Sequence, residues 1–205
     1  MAKKIDPGEF TIDEPAHWLY VGPTKCGKTT LARFHAQQLC KAKWKVIVFD
    51  PVGTITAGAK EGEEWGDGAR VIVELEDFEK EMEEEHDAFV FVDESPDVLS
   101  HAQAHNHWML RRGRHSKLYF RVITQRVKMI PPNVRTQCSR LFLFRCAKSD
   151  AREILNDFGH EADIFPESMD KGDCLMVESA SDTVEEFNAF ELTGGDPDHV
   201  EVIEK

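Results

Sequence analysis

The chain has 205 residues, 41% hydrophobic and 31% charged, with 25 Lys and Arg against 38 Asp and Glu and a formal net charge of −13. This length suits one well-buried α/β domain and is too short for two large ones. No apolar run nears the roughly 20 residues that cross a bilayer, so a soluble protein with no membrane span is expected.

The N-terminus lacks the apolar core of a signal peptide, which points to a reducing cytoplasm. Cys26, Cys40, Cys138, Cys146 and Cys174 are odd in number and show no CxxC spacing, against both a disulfide framework and a zinc site. Charge is unevenly spread: residues 61–97 hold two Lys/Arg and sixteen Asp/Glu, whereas residues 98–149 hold eleven Lys/Arg and no carboxylate. Such a block is a local positive field that polyanions could find, unless its arginines pair within the molecule.

In chain order, residues 1–14 read as an N-terminal arm. The apolar run Trp18–Val21 then enters Gly22-Pro23-Thr24-Lys25-Cys26-Gly27-Lys28-Thr29-Thr30, followed by a helical pattern with Leu31, Phe34 and Leu39. Strand, G-x-x-x-x-G-K-T loop and helix together predict a triphosphate site. Loop amides converge on phosphate oxygens, Lys28 brings a cation to the β- and γ-phosphates, and Thr29 offers a hydroxyl to Mg²⁺. Beside Lys25, Lys28 and a helix N-terminus, Cys26 is expected to have a lowered thiol pKa and to be sensitive to oxidation or alkylation, without a catalytic role.

Further apolar runs at Val46–Phe49, Val71–Val73, Ala88–Val92, Tyr119–Ile123 and Leu141–Phe144 predict strands of a mostly parallel, three-layer sheet. Gly53–Gly68 reads as a mobile surface loop, 75–85 as an amphipathic helix with a solvated acidic side, and 102–112 as a helix stopped by Gly113. His101, His105 and His107 lie close together, the first two sharing a helix face at i,i+4, as a polar face or a metal site without suitable partners. Cys174–Glu178 and Val184–Phe190 extend the sheet, with antiparallel pairing one option. Residues 15–192 form the domain, and 193–205 a frayed acidic tail.

Ala88–Val92 ends in Asp93-Glu94. Asp93 is placed to hold Mg²⁺ opposite Thr29, and Glu94 to activate a water as general base, which favours hydrolysis. No Asn-Lys-x-Asp sequence is present, so ATP is expected rather than GTP. Tyr119–Ile123 runs into Thr124-Gln125-Arg126; if its strand lies between the loop strand and the Asp93 strand, Gln125 emerges beside the γ-phosphate as a sensor.

Gly22–Thr30, Phe89–Ser95 and Thr124-Gln125 together resemble the HerA/FtsK superfamily of ring-forming DNA-translocating ATPases. Adding Arg111-Arg112-Gly113-Arg114-His115 and Pro131–Arg135, residues 15–150 look like the genome-packaging ATPases of tectivirus-like icosahedral viruses with an internal membrane. The resemblance implies a RecA-like (ASCE) P-loop NTPase fold and a homo-oligomeric ring, commonly a hexamer. It implies ATP and Mg²⁺ as cofactors, double-stranded DNA threaded without sequence preference, and docking on capsid vertex proteins in the host cytoplasm or virion.

By position, Gly22, Gly27, Lys28 and Thr29 bind phosphate and Mg²⁺, Asp93 coordinates Mg²⁺, Glu94 activates water and Gln125 senses. An arginine finger from a neighbouring subunit is also implied, with Arg114 first and Arg135 and Arg140 next. Lys117, Arg121, Arg126 and Lys128 are expected DNA phosphate contacts. The chain departs from HerA and FtsK in showing no membrane anchor, β-barrel domain or winged helix. A P-loop kinase acting on a small acceptor and a filamentous-phage-type morphogenesis ATPase are the competing expectations.

Overall fold

A computed structural model of the chain describes residues 3–4, 12–52, 63–179 and 184–194. The described strands are β1 (Lys3–Lys4), β2 (His17–Val21), β3 (Lys45–Phe49), β4 (Arg70–Ile72), β5 (Ala88–Val92), β6 (Leu118–Thr124), β7 (Cys138–Phe144), β8 (Asp173–Glu178) and β9 (Val184–Asn188). They form one sheet in the order β1-β9-β8-β7-β2-β6-β5-β3-β4. From β7 across to β4 every pairing is parallel, whereas β8 is antiparallel to both β7 and β9. The helices are α1 (Lys28–Lys41), α2 (Leu75–Glu84), α3 (Pro96–Leu99), α4 (Trp108–Gly113), α5 (Pro132–Arg135), α6 (Lys148–Asp157) and α7 (Ala189–Thr193).

Helices cover both faces, because the central strands are apolar on both. All five residues of β2 and all five of β5 are buried. Leu19, Val90, Val122 and Leu141 join Phe78 of α2, Leu110 of α4 and Leu155 of α6 in one core. Trp18, Tyr20, Phe89, Phe91 and Phe142 join Leu31, Ala36 and Leu39 of α1 in the other. At 25–30 cal/mol per Å², apolar burial of this kind is the main favourable term in such a domain. Parallel strands joined through helices place all their C-terminal ends on one edge, here called the upper edge, where ligand crevices of open α/β sheets form.

Every expected strand is present, with no end displaced by more than three residues and β5 matched at both ends. The expected run Val184–Phe190 is corrected: β9 stops at Asn188, whose side chain accepts from the Phe190 and Glu191 amides and so caps α7. The expected helix 102–112 is also corrected. It is a 3-10 segment, His101–His107, broken at Gln103 (φ −102°, ψ 34°) and followed by α4.

Gly113 is the last residue of α4 and not a left-handed stop. A Cβ there would sit 3.0 Å from the Phe120 ring, so close packing on β6 requires the glycine. Within the expected loop, residues 53–62 lie outside the described residues, but Trp65 is buried and donates to Asp50 at 3.1 Å. The arm is not separate throughout, since Ile12 packs against the second core and Arg121 donates to the carbonyls of Ile12 and Glu14. Of the expected tail, residues 195–205 lie outside the described residues; Thr193 closes α7 and Gly194 follows at φ 84°.

Candidate nucleotide-binding site

The loop between β2 and α1 is shaped by sterics. A Cβ on Gly22 would come within 2.6 Å of the Phe144 Cβ and 2.9 Å of the Cys26 Sγ, so only glycine lets the chain leave β2 against β7. Gly27 precedes α1 at φ 109°, a conformation costly for any L side chain, and Lys25 also takes a positive φ of 62°. Lys28 is 93% buried by these turns, and its Nζ donates to the Pro23 carbonyl at 2.8 Å. A triphosphate entering the loop competes for that ammonium with far stronger acceptors.

The β5 end meets the loop. The Thr29 hydroxyl donates to Asp93 Oδ2 at 3.2 Å, and the other Asp93 oxygen accepts from the Glu94 amide at 3.0 Å. Burial raises the Asp93 carboxyl to about 6, and nearby Asp50 and Glu94 push the same way. Asp50 is itself 4% exposed at the end of β3. A buried carboxylate whose charge is disfavoured, with a threonine hydroxyl bonded to it, fits a divalent cation that neutralises it. Magnesium also fits the small protein donor set, because it keeps several waters and takes phosphate oxygens.

β6 lies between β2 and β5, the arrangement on which the expected place of Gln125 beside the phosphate loop depended. Gln125 accepts from the Thr24 hydroxyl at 3.2 Å and donates to Glu94 Oε1 at 2.8 Å. Glu94 is held in the left-handed region at φ 49°, a conformation costing about 1–2 kcal/mol for a residue with a Cβ. The geometry is fixed from below: Ser95 donates to the Ile123 carbonyl through its amide at 3.0 Å and through its hydroxyl at 2.5 Å. Thr24, Lys25, Lys28, Thr29, Asp93, Glu94 and Gln125 thus face one cleft of about 80 Å³. Two larger cavities of about 490 Å³ lie at the upper ends of β8 and β9 and along β4. Their linings include Asp170, Asp173, Glu186 and Glu191, and Glu74, Asp77, Glu81 and Glu84 respectively, a poor setting for phosphate.

Other expected residues fall elsewhere. Arg114 is exposed beyond the lower, N-terminal end of β6 and donates to the Gln137 carbonyl at 2.6 Å, so it has no place in its own subunit's cleft. Arg135 and Arg140 do not suit a role across a subunit boundary. Arg135 is 2% exposed and binds Glu153 and Asp157 at 2.8 and 2.7 Å; Arg140 is 8% exposed, stacks on Trp18 and pairs with Glu14 and Glu178.

Arg121 cannot meet DNA: it is fully buried, with its guanidinium 3.7 Å from the Trp18 ring centroid and donating to the Ala16, Ile12 and Glu14 carbonyls. Burial lowers its pKa to about 10. The expected reactive Cys26 is likewise corrected, because burial raises its thiol pKa and Lys28 offsets this only in part. His107 is buried against the Leu99 and Ser100 carbonyls while His101 and His105 are exposed, and no three metal-binding side chains cluster among the described residues.

Asp50 and Ser95 were missed in the sequence. Asp50 carried a readable signal, since it ends an apolar run as Asp93 does. Ser95 carried none, because its role depends on the register of β5 against β6.

No protein-family model and no curated protein matches the sequence. Solved structures do match. The genome packaging NTPase B204 of Sulfolobus turreted icosahedral virus 2, in complex with AMPPCP, aligns at TM-score 0.69 and 18% identity over 85% of this chain and 98% of that one. B204, the DNA-packaging ATPase of Sulfolobus turreted icosahedral virus, aligns at TM-score 0.69 and 15% identity over 85% and 97%. The pCW3 conjugation coupling protein TcpA, with ATPγS, aligns at TM-score 0.63 and 17% identity over 87% of this chain and 61% of that one. The chain therefore has the P-loop α/β fold of these proteins, with antiparallel strands added beyond β7.

Proposed function

We propose that this chain hydrolyses ATP and uses the energy to translocate double-stranded DNA, as the genome-packaging subunit of a virus that pumps its DNA into a capsid. The observation that carries the hydrolytic reading is the Thr24–Gln125–Glu94 chain of hydrogen bonds beside Lys28 and Asp93. A carboxylate and an amide joined in this way beside the loop suit contact with a terminal phosphate and an attacking water.

The loop amides and Lys28 hold the β- and γ-phosphates, while Thr29 and Asp93 would hold magnesium. When bound, that ion would supply neutralisation of the phosphate charge. Glu94 accepts a proton from water as its oxygen attacks the γ-phosphorus and the bond to the β–γ bridging oxygen breaks. Gln125, bonded to both Glu94 and the loop, changes partners as that phosphate appears and leaves.

The DNA reading is supported by the fold shared with B204 and TcpA, whose names give DNA packaging and conjugation coupling, and by the carboxylate-free block 98–149. A ring, expected to be hexameric and docked on a capsid vertex, goes with it. Arg114, exposed on the opposite edge from its own cleft, remains the candidate for a finger reaching a neighbour's site, a contribution worth ~10³–10⁵ in rate.

The test is phosphate release from ATP and Mg²⁺ with and without linear duplex DNA. Free phosphate, released faster with duplex, is the expected result. ATP consumption that requires a small phosphate acceptor would replace the motor with a kinase, and no consumption in either condition overturns the reading.

A further inference from the structure

The phosphate loop has two sides. Glu94 and Gln125, at the ends of β5 and β6, mark the side of the terminal phosphate, and both strands lie on one side of β2. A triphosphate is linear, so its nucleoside end leaves the loop on the other side, where β7, β8 and β9 follow. Phe144 is paired with Cys174 and Asp173 with Asn188, which brings the start of β8 and the end of β9 to the upper edge beside the loop.

A partly open aromatic ring stands there. A Cβ on Gly27 would meet the rings of Phe144 and Phe190 at 3.3 and 3.5 Å. Phe144 is fully buried, whereas Phe190 of α7 is half-buried. Lys171, exposed in the turn before β8, holds its ammonium 5.4 Å from the Phe190 ring centroid.

One side chain fixes both the ring and the cation. Asn188 accepts from the Phe190 and Glu191 amides at 3.0 and 3.3 Å, and its Nδ2 donates to the Lys171 carbonyl at 3.2 Å and to Asp173 at 2.9 Å. Gly172 lets the two segments touch, since a Cβ there would lie 2.5 Å from the Phe190 ring. Core packing does not require the aromatic: Ala189 and Leu192 anchor α7 on the second core, and Phe190 belongs to neither core.

We propose that Phe190 is the platform on which the purine base of the bound nucleotide stacks, with Lys171 as the cation beside it. The inference rests on the ATP-binding reading above and deepens it, assigning the nucleoside end of the same site to the turn before β8 and to α7. A base presents an aromatic face whatever its edge carries, so stacking suits a ring that is partly open to solvent and offers no hydrogen-bonding group of its own. A cation next to that ring suits a base that is joined to phosphate.

The experiment measures equilibrium binding of two probes to the full chain with Mg²⁺: a non-hydrolysable ATP analogue, and inorganic tripolyphosphate, which has the phosphates and no nucleoside. Phe190→Ala should weaken the analogue by roughly 5- to 150-fold, the worth of one stacked base, and leave tripolyphosphate within about twofold of the parent. Phe190→Tyr should restore analogue binding. Phe190→Leu keeps an apolar contact with the loop but has no ring, and should stay weakened for the analogue alone.

Parental affinity for the analogue in Phe190→Ala or Phe190→Leu overturns the inference. So does an equal loss for both probes, which would make Phe190 a support of the phosphate loop. If the parent itself binds neither probe, the ATP reading fails, a result distinct from a parent that binds both and a variant that does the same.

Discussion

The two edges of the sheet both bury charge, and they do so in opposite ways. Below, the guanidiniums of Arg121 and Arg140 stack on Trp18, and carbonyls of residues 12–16 together with Glu14 and Glu178 accept from them. Above, Asp93 accepts from the Thr29 hydroxyl with Asp50 and Glu94 near enough to raise its pKa, and Lys28 donates to the Pro23 carbonyl of the loop. Charges satisfied within the chain hold the fold together. Lys28 and Asp93, next to glycines that open the backbone, are the charges at the upper edge best placed to change partners when a ligand enters.

Substitutions at the two edges should therefore separate activity from stability. The largest effect is expected at the upper edge: Glu94→Gln should keep ATP affinity and lose turnover by ~10²–10⁴, the usual worth of a general base. Steady-state phosphate release and equilibrium nucleotide binding measure the two halves; equal turnover in variant and parent would remove Glu94 from the mechanism.

At the lower edge, Arg121→Ala strips buried carbonyls of their donor and leaves a void under Trp18. A destabilisation of about 3–4 kcal/mol by denaturant unfolding is expected, with ATP affinity kept while the protein is folded. A stable variant with weakened ATP binding would show that the two edges are not independent.

His17 makes the lower edge sensitive to acid. Its Nδ1 accepts from the Phe120 amide at 3.0 Å and its Nε2 donates to the Leu110 carbonyl at 3.0 Å, which fixes the neutral form. Burial lowers its pKa to about 4 from 6.5. The folded state thus binds fewer protons than the unfolded one between these values. Stability is full above about 6.5, falls as pH drops toward 4, and loses up to about 3 kcal/mol there. Urea unfolding at pH 7 and pH 4.5 should show the loss, and in His17→Gln the part due to this group should disappear.

Smaller effects return to the cleft. Gln125→Ala removes one bond to Glu94 and one to Thr24, and turnover should fall by about tenfold or more, as for about 1–2 kcal/mol of lost positioning. Smallest of all, Cys26 should react slowly with thiol reagents in the native protein, because it is buried with its thiol pKa raised; rapid single-site labelling there would contradict the packing around Gly22.

The strands and the loop were legible because their signals are local. A run such as Ala88–Val92 is apolar on both faces wherever it sits in a parallel sheet, and Gly22, Gly27 and Lys28 carry their spacing in nine consecutive residues. The arginines were not legible in the same way. Arg121, Arg126, Arg135 and Arg140 read alike as members of one basic block, yet three are buried in stacks or ion pairs and one is exposed. The acids that neutralise the buried ones, Glu14, Glu153, Asp157 and Glu178, come from distant parts of the chain.

By itself, the sequence determined the glycine-rich loop, the acidic end of β5 and the alternation that makes a parallel sheet, since backbone conformation and burial period are properties of neighbouring residues. Only the tertiary structure decided that β6 separates β2 from β5, which sets Gln125 between Thr24 and Glu94, and which cations face solvent. Both depend on strand order and long-range charge pairing, and these follow from the packing of the whole sheet.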